Sequence, residues 1–427
     1  MSAFDLAVGV DCPTMNQAGA VLYAQLYPRV FTGSQAISRD GIDFRVSWDV
    51  RQPPRFVLSL PGRGAAMLRA HLRELDPPDG VRHADLVDAL AATLEQSTFQ
   101  LVMPDVAMTV EGEGGSGTDQ VVVTVVVQAS SAGGQMSLRP IKATGTTENP
   151  SDQWFINAVI LPQAMQMAGT LLGGVTLPTL SISGVQLTAP TMLVSQGRVI
   201  AMANLAGKPI PAPPFPDSWP ASPFFALLSE QARLAVARAG TAGIVGRELG
   251  HKGSVDIGIG TAHYGATARI GALDLGLGSA GTSEYTFRGP VTGNVNAGVT
   301  VGCTDIGVNY TLYAEPQVSG TISLSVDGAR VRATTSHLAV FVLVLKPDGG
   351  VAEWILSALT YPLLQSVTAT FSPLITLAFN GIGFDVFDVP SFPVDVQDVH
   401  LKVVPTAVHF SSFGGMESIE GTASITG

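Results

Sequence analysis

Charge is scarce in this chain of 427 residues. Asp, Glu, Lys and Arg together make up 13% of it, against roughly 25% in ordinary soluble domains. Apolar residues make up 46% and the mean hydropathy is +0.33. Together with abundant Gly, Thr, Ser and Val, this is a β-rich profile. Basic residues are the scarcer sign, 23 against 34 acidic ones, for a net charge of −11. That balance argues against nucleic acid as a partner. Cysteine is nearly absent: Cys12 and Cys303 are the only 2. Two lone cysteines make no disulfide framework, and buried free thiols in a reduced compartment are expected.

The opening MSAFDLAVGVDCP has neither a basic n-region nor a sustained apolar h-region, so a standard secretory signal is not expected. The protein should be cytoplasmic, or exported by another route. A membrane span needs about 20 apolar residues. The segment 354–384 is long enough, but Ser357, Thr360, Gln365, Ser366, Thr368, Thr370 and Ser372, with Pro362 and Pro373, argue against a transmembrane helix there.

Catalytic signatures are missing too. The sequence contains no GxSxG elbow and no HExxH. GEGGSG at 112–117 and GLGSAG at 276–281 match GxGxxG in letters. A dinucleotide site needs a strand before the motif and a helix after it. Strand-like sequence follows both, so they predict hairpin turns. In LSLPGRGAAMLRAHL at 58–72, Met67 stands where a third glycine would be, which predicts a plain helix start. Cys12 precedes Pro13 at a helix start, where a thiol without chemistry is the favoured reading. Asp398 and His400 share a strand face, with His409 further along, but a metal site needs three or four convergent ligands. No catalytic residue, metal or cofactor is expected.

What the chain does have is two charge-free stretches. Residues 154–197 and 354–384 contain no Asp, Glu, Lys or Arg. The first opens WFINAVILPQAM at Trp154, the second WILSALTYPLLQ at Trp354, each with a proline eight residues on, Pro162 and Pro362. As helices they have no obvious wet face, so protein, lipid or a greasy ligand should cover them on nearly all sides.

Between them, GKPIPAPPFPDSWPASP at 207–223 holds seven prolines. That density excludes regular helix or central strand and predicts a stiff extended linker. It sits at the midpoint of the chain and splits it into domains at 1–206 and 224–427. Each half is expected to open with a helix, at 13–29 and 223–239. Strands follow: 42–60, 98–111 and 119–129 in the first half, 253–278 and 285–345 in the second. Each half then has its Trp helix and closes in extended segments, at 180–207 and 392–415. Residues 64–97 read as two charged surface helices split by a Pro-Pro turn, without a counterpart in the second half. The fold class expected is α+β, with two pseudo-repeated units, each a long helix pair packed on a strongly bent antiparallel sheet.

That layout over most of the chain, with the opening FDLAVGVDCPTMNQAGAVLYAQLYP, resembles the TULIP superfamily of tubular lipid-binding proteins. It is similar to bactericidal permeability-increasing-like proteins and to the TULIP companions in clostridial toxin clusters. The resemblance implies a long apolar groove between helix and sheet that holds acyl chains. Candidate lipid-contacting residues are Trp154, Leu161, Met165 and Leu172 in the first half, and Trp354, Leu359, Leu363, Val367 and Phe371 in the second. The partner expected is a lipid or another apolar small molecule; a protein partner, a homodimer and transient membrane contact are compatible with it. The alternative is an assembly or interaction protein, such as a toxin-complex or secretion-associated component, with no internal ligand.

Overall fold

The computed structural model describes residues 4–39, 41–60, 63–74, 97–132, 135–149, 184–256, 261–282, 284–301, 304–321, 323–327, 330–334, 342–349, 361–379, 383–388, 392–396 and 399–426, with isolated positions between 84 and 165. In the first half these form β1 (Leu6–Asp11), α1 (Cys12–Leu26), β2 (Thr32–Arg39), β3 (Ile42–Val50), β4 (Arg55–Val57), α2 (Arg63–Leu72), β5 (Thr98–Gly112), β6 (Gly115–Ala132), β7 (Gln135–Thr146), β8 (Thr191–Ser195) and β9 (Arg198–Ala203). The second half opens with β10 (Phe224–Leu228) and α3 (Glu230–Thr241), then β11 (Glu248–Asp256), β12 (Thr261–Ile270), β13 (Asp274–Leu277), β14 (Glu284–Arg288), β15 (Val291–Val301) and β16 (Thr304–Ala314). It continues through β17 (Gln317–Thr321), β18 (Ser323–Asp327), β19 (Arg330–Thr334), β20 (Leu343–Pro347) and α4 (Tyr361–Phe379). It closes with β21 (Gly383–Asp388), β22 (Phe392–Val396), β23 (Val399–Phe413) and β24 (Met416–Thr426). Strands dominate, as an apolar chain rich in β-branched residues dictates.

Both ends of both halves meet in one antiparallel sheet, ordered β22-β23-β24-β10-β1-β9-β8. At its centre β1 pairs with β10, from Leu6 opposite Leu228 to Val10 opposite Phe224. On their outer sides β1 pairs with β9 and β10 with β24. Each half therefore contributes its opening strand and its closing hairpin. Alternate residues face opposite sides. Leu6, Val8, Val10, Phe224, Ala226 and Leu228 pack with Ala232 and Val236 of α3, while Ala7, Phe225 and Leu227 pack with Trp219. A side chain at Gly9 would come within 2.2 Å of the Phe225 ring, so glycine is what lets the two central strands pair.

The expected helix over 223–239 is corrected here. Phe224–Leu228 is a strand, and the helix begins only at Glu230. Five apolar residues in a row leave no polar side, which suits a strand buried on both faces. Ser229 ends it and caps the helix, its Oγ accepting from the Ala232 N–H at 3.2 Å. The first half is built alike: Asp11 ends β1, accepts from the Thr14 N–H at 2.9 Å, and Pro13 sits in the first turn of α1.

Residues 207–223 hold neither helix nor strand, as the prolines require. They are not a bare tether, however. Trp219 is 5% exposed, stacked between Phe4 at 5.6 Å and Phe225 at 6.0 Å. Lys208 Nζ lies 2.7 Å from the buried Asp5 carboxylate, which also accepts from Ser229 Oγ at 2.7 Å and from the Leu205 N–H at 3.0 Å. The segment is a strap across one face of the central sheet.

Two further sheets flank this one. In the first half β2-β3-β5-β6-β7 pair in that order, with β4 on β5. In the second, β11-β12-β15-β16-β20 pair in order, beside two three-stranded sheets. Both glycine motifs turn hairpins, Gly112 opposite Gly115 between β5 and β6, and Leu277 opposite Tyr285 between β13 and β14. Of the two helices expected over 64–97, α2 is described, and its Leu68 and Leu72 are buried with Leu60 and Ile141 against the first-half sheet. α4 packs against β11, β12 and β20. Since β11 and β20 are the two edges of their sheet, the sheet curls around the helix.

Candidate functional site

The inner face of the first-half sheet is set by β3, IDFRVSWDV, in which every second residue is apolar. Ile42, Phe44, Val46, Trp48 and Val50 share that face. Phe44 lies opposite Ile37 and Gly112, Val46 opposite Val110, and Trp48 opposite Gly33 and Met108. Across β6, Val110 lies opposite Gly117 and Gly112 opposite Gly115. Toward the base Val46, Val50, Val106, Met108, Val121, Val123 and Val125 are buried. Toward the hairpin tips Ile37, Phe44 and Val110 are only half-buried, and Ile42 is 66% exposed. A Cβ added at Gly115 or Gly117 would meet nothing within 4 Å. The result is an apolar face that is buried toward its base and part-exposed toward its tip.

The charge-free segment from Trp154 enters this face. Ile156 and Leu161 are buried in the same cluster and Met165 packs against it, half-buried. The entry is fixed at Gly145 of β7. Its N–H donates to Asn157 Oδ1 at 3.1 Å, and its carbonyl accepts from Gln153 Nε2. A Cβ there would lie 2.4 Å from Ile156 Cγ2, so only glycine admits the segment. Trp154 and Leu172 lie outside the described residues.

In the second half Val367, Phe371, Ile375 and Ala378 form one stripe of α4 at spacings of four, four and three. Val367, Phe371 and Ile375 are 0% exposed, in a cluster with Ala262, Val291, Val295, Tyr310 and Leu312 of the sheet. The Tyr264 hydroxyl and Thr370 Oγ1, 3.4 Å apart, join helix to sheet. Complete burial means that Val367 and Phe371 line no open space as the helix is seated. Leu363 lies in the helix, with nothing described of its side chain; Trp354 and Leu359 lie outside the described residues. The expectation that this helix is covered on nearly all sides is corrected for its described part. Gln365, Ala369, Pro373 and Leu377 form an exposed stripe, with Leu377 at 71%. Its wet face is uncharged rather than missing. Thr370 and Thr376 donate to the carbonyls of Ser366 and Ser372 at 2.9 and 2.7 Å, which withdraws two hydroxyls from solvent.

The sequence reading of β3 found the strand but assigned it no face, so Ile37, Ile42, Phe44 and Val110 were missed. The strict alternation of IDFRVSWDV was the signal that could have found them. Among the described residues no three His, Cys, Asp or Glu side chains converge as metal ligands. Cys303 and Asp398 lie outside those residues. Cys12 Sγ donates to the Phe56 carbonyl at 3.0 Å and accepts from Asn16 Nδ2 at 3.4 Å, tying α1 to β4. Among the described residues no helix is long and apolar enough to cross a membrane.

Two buried carboxylates lie at the central sheet, Asp5 where the halves meet and Glu417 among second-half residues, and they titrate in opposite directions. Burial pushes Asp5 up, but hydrogen bonds from Lys208, the Leu205 N–H and Ser229 outweigh it and hold the carboxyl below its usual range. Burial likewise pushes Glu417 up. There the Gly281 N–H at 2.8 Å and Arg233 at 3.4 Å do not compensate, and the pKa is raised.

No family model and no curated protein matches the chain. Among solved structures it is similar to P47 of Clostridium botulinum E1, with TM-score 0.47 and 9% identity over 99% of this chain and 100% of that one. It is also similar to P47 from Clostridium botulinum A2, with TM-score 0.45 and 8% identity over 99% and 97%. A lipopolysaccharide binding protein aligns with TM-score 0.35 and 9% identity over 99% of both chains. These neighbours match the resemblance read from the sequence. At such scores the likeness is one of layout, and the function proposed below rests on this chain's own geometry.

Proposed function

We propose that this chain is a non-catalytic carrier that holds acyl chains, or another apolar ligand, between its apolar helices and its curled sheets. The observation that supports this best is the part-exposed apolar face of the first half, which we read as an open trough. Ile37, Phe44 and Val110 are half-wet and Ile42 is mostly exposed, beside the uncrowded glycines 115 and 117. Apolar surface left wet is unfavourable, and an acyl chain laid on it would gain about 0.8 kcal/mol per buried CH₂. On this reading Trp154, Leu161, Met165 and Leu172 form the side of the groove facing the sheet. Trp354, Leu359, Leu363, Val367 and Phe371 play the same part in the second half, where the helix must shift to admit a ligand. We further read the chain as two pseudo-repeated units, 1–206 and 224–427, joined by the strap. The strand–cap–helix opening of each half and its place in the central sheet support that reading.

The test is native mass spectrometry of the purified chain, followed by organic extraction. Copurified lipid is expected, and it should be lost or reduced in the filling variants Met165→Phe, Leu363→Trp and Gly117→Phe. Lipid that copurifies unchanged with all three would reject the carrier.

A second reading has its own support. The exposed stripe of α4 ending in Leu377, with Tyr313 opposite Val344 on neighbouring strands and both exposed, suits a protein that assembles with a partner. An empty chain with a tight partner would favour it.

A further inference from the structure

We infer that strands β13, β14 and β17 form a hinged flap over one side of the second-half core, and that Glu417 is the latch that holds its tip. The inference rests on the carrier reading above for the flap's use, which is to admit an apolar ligand to that core.

The flap continues the second-half sheet across a break. β12, β15 and β16 lie side by side, and their last common row is Ile270, Val291 and Ala314. β13, β14 and β17 follow in the same order, starting from the row Asp274, Arg288 and Gln317. Residues 271–273, 289–290 and 315–316 lie between the two rows and belong to no strand. Pro290 and Pro316 have no N–H to give to a ladder. Gly271 and Gly289 let the chains cross closely. A Cβ at Gly271 would lie 2.9 Å from Pro290 Cγ, and one at Gly289 2.5 Å from Leu273 Cδ2. Within the break the Gly271 N–H donates to the Pro290 carbonyl at 2.7 Å. The exposed pair of Arg288 with Glu315, 2.8 Å apart, contributes little. A line of glycine and proline across neighbouring strands is where a sheet can hinge.

The flap's hold on the core is thin. Leu275 and Leu277 of β13, with Leu273 just before them, are half-buried against the cluster that contains Phe371, while Asp274 and Gly276 are exposed. A cavity of about 370 Å³ lies between Leu273 and Leu275 and the last turn of α3, so the flap is not closely packed on that helix there. The tip is held differently. Gly281, at φ +83, sits on β23, where a Cβ would lie 3.1 Å from Ser412 Cβ. Its N–H donates to Glu417 Oε2 at 2.8 Å. Arg233 of α3 donates to the Gly278 carbonyl at 3.1 Å and lies 3.4 Å from the same carboxylate oxygen. Glu417 is 4% exposed, and its Oε1 has no hydrogen-bond partner among the described residues. A carboxylate so placed costs hydration that these two partners only partly restore. Packing alone would be served better by an apolar residue. Swinging the flap out returns water to Glu417 and Arg233, which offsets the wetting of the leucines. That brings the open and closed states close in free energy, as a gate requires.

The experiment is hydrogen exchange of the full chain, read by mass spectrometry of peptides from the flap and from β12 and β15, the strands it continues. In the wild-type chain the flap should exchange about tenfold faster than β12 and β15. Glu417→Ala and Arg233→Met should each speed the flap by about tenfold more and leave β12 and β15 unchanged. Glu417→Gln, which still accepts from the Gly281 N–H, should exchange like the wild type. The wild-type comparison stands even where a latch variant fails to fold. A wild-type flap that exchanges at the rate of β12 and β15, or latch variants that speed all of these strands equally or none of them, overturns the flap. No ligand enters this measurement. Lipid extracted from a chain whose flap proves rigid leaves the carrier standing, and a flap that opens in a chain without lipid leaves the gate standing, so the two failures are distinguishable.

Discussion

The two flanking sheets solve one problem in different ways. Each has an apolar inner face that must leave water. In the second half the protein does this itself: Val367, Phe371 and Ile375 of α4 are fully buried inside a sheet that touches the helix at both edges. In the first half the base of the face is equally sealed, yet its outer rows end in half-wet Ile37, Phe44 and Val110 and an exposed Ile42. A helix that fills its sheet with its own side chains has spent that surface on stability. A sheet that keeps apolar rows wet has not spent that surface, and on the carrier reading proposed above it is where a ligand would lie. The difference begins in composition: the second-half face offers Ala262, Ala266, Ala268, Ala297 and Ala314, small enough to seat a helix, whereas the first-half face is mostly valine.

The largest expected effect strikes the sealed side. Phe371→Ala should lower unfolding free energy in urea by about 3–5 kcal/mol, the usual cost of a large buried deletion. A loss under about 1 kcal/mol would mean that the second-half core is not closed. Asp5→Asn should cost about 1–3 kcal/mol, because it weakens a buried set of hydrogen bonds at the seam between the halves. Its sign with pH is fixed by the lowered pKa. The wild-type contribution is fully present above the unfolded value of about 3.9 and is lost as pH falls through the lower folded value. Acid titration of stability should therefore flatten in the variant. Gly145→Val should cost about 1–3 kcal/mol by forcing Ile156 off β7, and should reduce lipid recovery along with stability.

Phe44→Ala sharpens the contrast. At a half-wet position it should cost only about 1 kcal/mol, while lowering acyl-chain affinity, a split that Phe371→Ala should not show. The smallest effect is expected at Glu417→Gln. Burial raises this carboxyl, so its contribution is fully present below the unfolded value of about 4.3 and lost as pH rises through the folded one. At neutral pH the substitution should be neutral or stabilising by about 0.5 kcal/mol, the opposite sign to Asp5→Asn.

Much of this fold was legible in local sequence. VVVTVVVQ could hardly be anything but strand, the glycine motifs announced hairpins, and CPTMNQAGAVLYAQL carried its helical spacing in Met15, Ala18, Leu22 and Leu26. What failed was local reading of elements whose reason is distant. FFALL has the composition of a helix start, but it is a strand because LAVGV lies beside it, more than two hundred residues earlier. The strap was legible as extended from its prolines. That Trp219 would slot between Phe4 and Phe225, or Lys208 find Asp5, depends on a sheet no window of the sequence contains. The candidate site was half legible. Absence of charge marked the helices, including Leu161, Met165, Val367 and Phe371. It could not say that Val367 and Phe371 would be sealed while the trough lay along β3.

The most direct test is whether an acyl chain reaches that trough. Trp48 lies on the same face as Phe44, paired with Gly33 and Met108, whereas Trp219 is stacked away on the central sheet. A bromine-labelled fatty acid quenches only tryptophans it approaches closely. Titrated into the full chain, it should quench fluorescence by an amount that drops in Trp48→Phe and is preserved in Trp219→Phe. Quenching left unchanged by Trp48→Phe, or none in the wild-type chain, would contradict an open acyl-binding trough in the first half.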